Sequence, residues 1–184
     1  MLPLRHVKDD FEFRKLFGDV KEVFLDGTER EINRPKKNQE NYYSSKKKRH
    51  NLKNLILSDN KKKVLLLTKT VAGKSHDFGI FKKGEIVFIN VKVWLDLGFL
   101  GIKAILPINE YFMPHKKPKG GELTDLQKAE NLEISKVRVK IEHVISGIKR
   151  YNCVSDKCRN KGIKKADDFM LLATGLWNFH LKYA

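Results

Sequence analysis

Cysteine is scarce: Cys153 and Cys158 are the only two in 184 residues. One pair cannot build a disulfide framework, and by itself it is not a zinc site. Long apolar runs are missing as well. The longest uncharged, mostly apolar stretches, such as Ile86–Val91 and Met170–Trp177, fall far short of the ~20 residues a membrane span requires. The opening MLPLRHVKDD has no hydrophobic segment followed by small residues, which excludes a signal peptide. There is no internal repeat and no low-complexity tract. Acidic residues are in deficit, 22 Asp+Glu against 38 Lys+Arg, leaving a formal charge of +16. Yet 41% of the chain is hydrophobic, too much for a disordered basic tail, and the length suits one domain with a real core. The chain reads as a cytoplasmic domain, not a membrane protein, with an anionic partner. At this charge nucleic acid is the leading candidate.

The positive charge is grouped. Lys46-Lys47-Lys48-Arg49-His50 follows Tyr42-Tyr43, Lys61-Lys62-Lys63 forms a second cluster, and His115-Lys116-Lys117-Pro118-Lys119 a third. Any one of these reads equally as a solvated loop. Three on one small domain favour contact with a phosphate backbone, which is salt-sensitive and blind to sequence.

The expected elements alternate in type. Residues 1–19 form a mixed, weakly periodic lead-in. Glu22–Asp26 (EVFLD) reads as a strand. Asn51–Ser58 and Val64–Thr70, separated by Asp59-Asn60 and lysines, read as an antiparallel hairpin. Ser75 is the expected N-cap of a helix starting at His76-Asp77. Glu85–Leu95 (EIVFINVKVWL) alternates as a strand does, and Ala104–Ile108 is a further short one. After the basic loop Pro114–Gly121, Thr124 and Gln127 make a capping box for a helix running to about Arg150. A last amphipathic helix spans roughly Lys165–Lys182. The order predicts an α/β domain, with helices packed on a partly antiparallel sheet.

Among the acidic residues, Asp26 ends Val23-Phe24-Leu25 before Gly27, and Asp96 ends Val93-Trp94-Leu95 before Gly98 and Gly101. Both are expected at strand ends with small residues beyond, where backbone or phosphate can approach. Each also reads as a turn-forming Asp. On the long helix, at about 100° per residue, Glu142 falls in line with Arg138 and Lys149, on the border of the stripe of Ile141, Val144, Ile145 and Ile148. A surface ion pair from Arg138 to Glu142 is the plain alternative. Taken together, Asp26, Asp96 and Glu142 are a carboxylate trio of the kind that holds two divalent ions at a phosphodiester. Mg²⁺ prefers such hard oxygen ligands. Asp9-Asp10 and Asp167-Asp168 fit less well, and His76-Asp77 is read as helix-start chemistry.

At these residues the chain resembles a known family. The matching stretches are Asp26-Gly27-Thr28-Glu29, Tyr42-Tyr43-Ser44 running into the first basic cluster, and His76-Asp77. They continue with Asp96, Gly98, Phe99 and Gly101, Pro114–Pro118, and the helical set Ser135, Arg138, Glu142, His143 and Lys149. In order and spacing they resemble the catalytic domain of DDE transposases of bacterial insertion sequences, families four and five, and the Harbinger-type enzymes. The resemblance covers about residues 20–182.

It implies a ribonuclease-H-like mixed sheet flanked by helices, and a two-metal site (Mg²⁺ or Mn²⁺) built from Asp26, Asp96 and Glu142. It implies contacts from Arg138 and Lys149 to transposon-end phosphates, with Lys46, Lys47, Lys48, Arg49, Lys116 and Lys117 along the DNA. Double-stranded DNA, as transposon end and as target, is the implied partner, with a homo-oligomer assembled on it in the bacterial nucleoid. Two positions depart from the pattern: Ser135 stands where the signature has Tyr, and Phe99 where a Tyr is usual. Only 25 residues precede Asp26, whereas such transposases usually carry an N-terminal helix-turn-helix region. The expectation is therefore residues 1–19 as a lead-in and 20–184 as the catalytic domain, with the helix-turn-helix supplied by an upstream frame. A truncated or catalytically silent DNA-binding remnant, or a stand-alone metal nuclease, are the alternatives.

Overall fold

In the computed structural model, which describes residues 1–84, 86–159 and 162–183, helix α1 (Asp10–Phe17) precedes the central strand β1 (Glu22–Glu31). Then come α2 (Gln39–Tyr42), β2 (Tyr43–Ser44), β3 (Arg49–Asp59), β4 (Val64–Leu67), β5 (Val71–Ala72), α3 (Asp77–Lys83) and β6 (Lys92–Trp94). A 3₁₀ turn (Leu97–Phe99), α4 (Ile102–Ile105), β7 (Glu110–Phe112), α5 (Asp125–Ile148), α6 (Asn152–Ser155) and α7 (Ile163–Tyr183) complete the chain. The sheet order is β2-β3-β1-β6-β7, with β4 and β5 also on β3. β3 runs antiparallel to β1, while β6 and β7 run parallel to β1 and to each other. This mixed sheet with helices on both faces is the expected α/β architecture and is compatible with a ribonuclease-H-like fold.

Alternation along β1 divides the core in two. Val23 and Leu25, with Leu55 and Leu57 of β3, face a layer containing Phe13, Ile80, Phe81, Phe88, Phe99 and Ile102. Phe24 and Ile56 face the other way, onto Ile141, Val144 and Ile148 of α5 and Met170, Ala173 and Trp177 of α7. Arg30, also on this second face and only 4% exposed, ties β1 to α7 by donating to the Ala166 carbonyl at 2.7 Å and to Asn54 Oδ1 at 2.9 Å.

The long helix begins as its sequence predicts, with the Thr124–Gln127 capping box formed in both directions. The β3–β4 hairpin and α7 also fall where expected. Other expectations are corrected. β1 does not end at Asp26. It continues to Glu31 because β3 pairs with it residue by residue as far as Glu31↔Asn51. The run Glu85–Leu95 is a strand only over Lys92–Trp94. Asn90 takes a left-handed φ of 55°, which breaks the run, and Ile86 bridges to Val7 instead. Glu85 lies outside the described residues. Ala104–Ile108 is not a strand. Gly101, at φ +98°, redirects the chain into one helical turn, and pairing with β6 resumes at β7. The N-cap of α3 is His76, one residue after Ser75. The lead-in is packed, with Phe13 buried and Leu4 bridged to Leu66.

Candidate active site

β6 pairs with β1 only from Glu22 to Phe24. Beyond Phe24 that edge of β1 has lost its neighbour, while the opposite edge stays paired with β3. Asp26 sits just past the point of divergence, and Asp96 sits two residues past the end of β6. Two parallel strands that part in this way bring their following residues to one crevice. The register is held by stacked aromatics. Trp94 lies between Phe112 (centroids 4.2 Å apart) and Phe24 (6.3 Å), and its indole N–H donates to Glu22 Oε1 at 2.7 Å.

Asp26 alternates onto the α5 face, where Arg138 Nη2 donates to its Oδ2 at 3.2 Å. Its Oδ1 accepts from the Gly27 amide at 2.7 Å. Asp96 Oδ1 accepts from the Gly98 amide at 2.7 Å and caps the 3₁₀ turn, so the turn-forming role is present together with its place at the crevice. From the other face of the sheet comes a third carboxylate, Asp77, in the first turn of α3. It pairs with Lys53 Nζ at 3.2 Å, and Lys53 in turn pairs with Glu29 Oε1 at 3.4 Å. The Glu29–Lys53 contact follows from the β1–β3 register, which sets the two residues opposite one another.

Burial pushes the Asp26 carboxyl up from the ordinary 3.8 to about 6. Arg138 and the Gly27 amide oppose the rise, and the charges of Asp96 and Asp77 add to it. Asp77 is raised too, first by burial, against the pull of Lys53. Lys149 is lowered, first by burial and then by Lys47 nearby.

These groups open into a cavity of about 440 Å³. Lys46 and Lys47, from the turn between β2 and β3, and Arg49 at the start of β3 line it together with Lys149 at the end of α5 and Lys157 beyond α6. Lys149 Nζ also donates to the Glu29 carbonyl at 3.0 Å. A carboxylate floor under lysine and arginine walls suits a phosphodiester: the walls bind phosphate, and the floor holds cations.

The expected site residues are thus partly assembled. Asp26, Asp96, Lys149, Lys46, Lys47 and Arg49 line the cavity, and Arg138 reaches it through Asp26. Glu142 does not line the cavity; it lies one turn beyond Arg138 on the helix that also carries Ile145 and Lys149, which do. Its side chain is exposed and, among the described residues, makes no hydrogen bond or ion pair. The alternative pairing of Arg138 with Glu142 is not formed, since Arg138 reaches Asp26 instead. Lys48, Lys116 and Lys117 are exposed and do not line the cavity. The lysines at 61–63 form the β3–β4 turn, beside α7, where Trp177 donates to the Lys62 carbonyl.

Sequence reasoning read Asp77 as helix-start chemistry, quoted Glu29 only within the matching stretch after Asp26, and did not single out Lys53 or Lys157. For Lys53 a signal existed, because a lysine followed by an asparagine inside the apolar run NLKNLILS calls for buried partners.

The donor set fits a divalent cation. Asp77 Oδ1 is buried, and its partner is the Lys53 ammonium at 3.2 Å rather than a backbone donor. A Cβ on Gly27 would lie 2.8 Å from that atom, and one on Gly98 would lie 2.8 Å from Asp96 Oδ1 and 3.2 Å from Asp77 Oδ2. The two glycines therefore keep a cradle open between the carboxylates. Among the described residues no three His, Cys, Asp or Glu side chains stand ready as one ion's ligands, with Arg138 and Lys53 seated on Asp26 and Asp77.

The family described as a DDE superfamily endonuclease matches residues 25–178. The chain is also similar to a probable transposase for the insertion sequence element IS702 of Microchaete diplosiphon, with 34% identity over 171 residues. The match takes in 92% of this chain and 61% of that protein, so the chain spans about three fifths of the length of this curated relative. No solved structure matches it. Among the described residues, no helix is long and apolar enough to cross a membrane.

Proposed function

The chain belongs to the DDE superfamily of endonucleases, and from that premise we propose that it is the catalytic domain of an insertion-sequence transposase, cleaving and joining DNA with Mg²⁺ or Mn²⁺. The observation that carries this reading is the meeting of Asp26 and Asp96 where β1 and β6 part, beneath walls of Lys46, Lys47, Arg49, Lys149 and Lys157. Asp26, Asp96 and Glu142 would hold the divalent ions, which supply an acidified water and charge stabilisation at the leaving oxygen.

The protein's own residues bind and orient. Lys149 and the β2–β3 lysines hold phosphates on either side of the crevice. Arg138, already on Asp26, is placed to follow a phosphate once that carboxylate is otherwise engaged. In the first reaction water attacks the phosphodiester at the transposon end, leaving a 5′-phosphate and a 3′-hydroxyl. In the second, that hydroxyl attacks a target phosphodiester and the target's own 3′-oxygen departs as the hydroxyl. Two or more copies assemble on double-stranded DNA.

The test is cleavage of a duplex carrying the element's terminal repeats, with Mg²⁺ or Mn²⁺ present. Asp26→Asn and Asp96→Asn are expected to abolish nicking while retaining DNA binding. Nicking undiminished in both, in nuclease-free preparations, would overturn the assignment.

A further inference from the structure

Asp77 is unused by the reading above, and its surroundings are not those of a helix-start aspartate. The N-cap His76 makes no side-chain cap, and the Asp77 carboxylate takes Lys53 Nζ on its Oδ1 at 3.2 Å rather than a backbone amide. The carboxylate is turned instead toward β1 and the Asp96 turn. Gly27 and Gly98 are the two places where a side chain would strike it. The site of a Gly98 Cβ lies within 3.2 Å of oxygens from both Asp77 and Asp96. Its close partner is Lys53, nearly buried, whose ammonium is shared with Glu29 and donates to the Ser75 carbonyl at 3.2 Å.

Resting on the metal-dependent reading above, we propose that Asp77 is a further carboxylate ligand of the metal centre, and that Lys53 is the counterion which holds it while no divalent ion is bound. In this arrangement Asp26 and Asp77 reach the open edge of β1 from opposite faces of the sheet, with Asp96 between them. Each of the two is neutralised by its own cation, Arg138 or Lys53. A divalent ion takes over both duties at once. The displaced ammonium keeps Glu29 and the Ser75 carbonyl as partners, so it is not left unpaired.

The experiment is Mn²⁺ binding to the full 184-residue chain, followed by calorimetry and by the resonance of free Mn²⁺. Losing even an outer-shell partner of a metal ligand weakens binding on the order of 10–100-fold, so losing a ligand itself, in Asp26→Asn or Asp77→Asn, is expected to weaken it by at least about tenfold. If Asp26→Asn weakens binding and Asp77→Asn, shown folded by circular dichroism, binds like the wild type, Asp77 serves only Lys53 and the inference fails alone. If the wild type and Asp26→Asn bind alike, the metal-centre reading itself fails.

A second variant separates ligation from the loss of a nearby charge. In a background with Cys153→Ser and Cys158→Ser, Asp77→Cys offers a thiolate, which prefers soft metals. A saturable cadmium–thiolate charge-transfer band, absent from the background protein and competed by Mn²⁺, supports direct ligation. Absence of that band in a folded protein overturns it.

Discussion

Replacing Asp26 by Asn tests the electrostatics of the site in a way that separates it from an ordinary ion pair. The Asp26 carboxyl is raised to about 6, so between 3.8 and that value the folded protein holds a proton that the unfolded chain releases. Stability from this group is therefore fully present below about pH 4, falls as pH rises through the window, and stays lost above it. The difference between 3.8 and about 6 corresponds to about 3 kcal/mol at pH 8. Arg138's pull is already contained in that rise, so Asp26→Asn, which takes away the charge for good, gains at most about 3 kcal/mol. For a chain of this size each kcal/mol is worth about 2–4 °C in melting temperature.

Without divalent ions, Asp26→Asn is expected to melt several degrees above the wild type at pH 8, with the gap closing near pH 4–5. With Mg²⁺ the order should invert. Ligation requires ionised carboxylates, and saturation at about 1,000 times Kd stabilises by about 4.1 kcal/mol, a gain the variant largely forgoes. The assay is thermal unfolding by circular dichroism from pH 4 to 8, with and without Mg²⁺. An Asp26→Asn protein that melts below the wild type at pH 8 without metal would show that the Arg138 pair outweighs burial and repulsion. That result would refute the reasoning.

Three further outcomes are expected. Glu142→Gln, at an exposed helix position, should leave the melting temperature unchanged within about 0.5 kcal/mol but abolish metal-dependent cleavage; normal cleavage would remove Glu142 from the site. Lys149→Ala should weaken duplex binding and lower the salt slope by about 1, read from anisotropy titrations at several salt concentrations; an unchanged slope would mean that Lys149 meets no phosphate. Gly147→Ala sets a Cβ 2.1 Å from Trp177 Cζ3 and should destabilise by about 1–3 kcal/mol through overpacking of α5 on α7, measured by urea unfolding.

Much of the scaffold was legible because local chemistry and tertiary packing agree. The Thr124–Gln127 box, the apolar stripe on α5 and the β3–β4 hairpin each contain their own instruction. The strand extents were not legible. Beyond Asp26 the run Gly-Thr-Glu-Arg-Glu is polar and carries no strand signal, and only β3 lying alongside keeps it extended. In the opposite sense, the strongly alternating segment before β6 is stopped by Asn90 in a left-handed turn. Asp26 and Asp96 could be found because each sits beside glycine at the end of an apolar run. Asp77 could not be separated from helix-start chemistry, since its neighbours Gly27, Gly98 and Lys53 are brought to it only by the fold.

The site is acidic inside a protein of charge +16, and the two properties depend on each other. Three carboxylates gathered at one strand edge repel, and in a neutral domain that repulsion would favour protonation or local opening. Here Arg138 and Lys53 stand on two of them, and Lys149, lowered first by burial and then by Lys47, lines the same cavity. These cations keep the carboxylates together without cross-linking them permanently, because each has a second partner or an open cavity beside it. When a divalent ion takes their place, the released charge lies along the walls where a phosphate backbone would run. Metal and DNA binding should therefore be positively coupled. DNA affinity at the site should rise when Mg²⁺ or Ca²⁺ is added at constant ionic strength, and that rise should disappear in Asp26→Asn. Anisotropy titrations with and without Ca²⁺, which avoid turnover, measure the coupling, and equal affinities would mean that the cations do not change places.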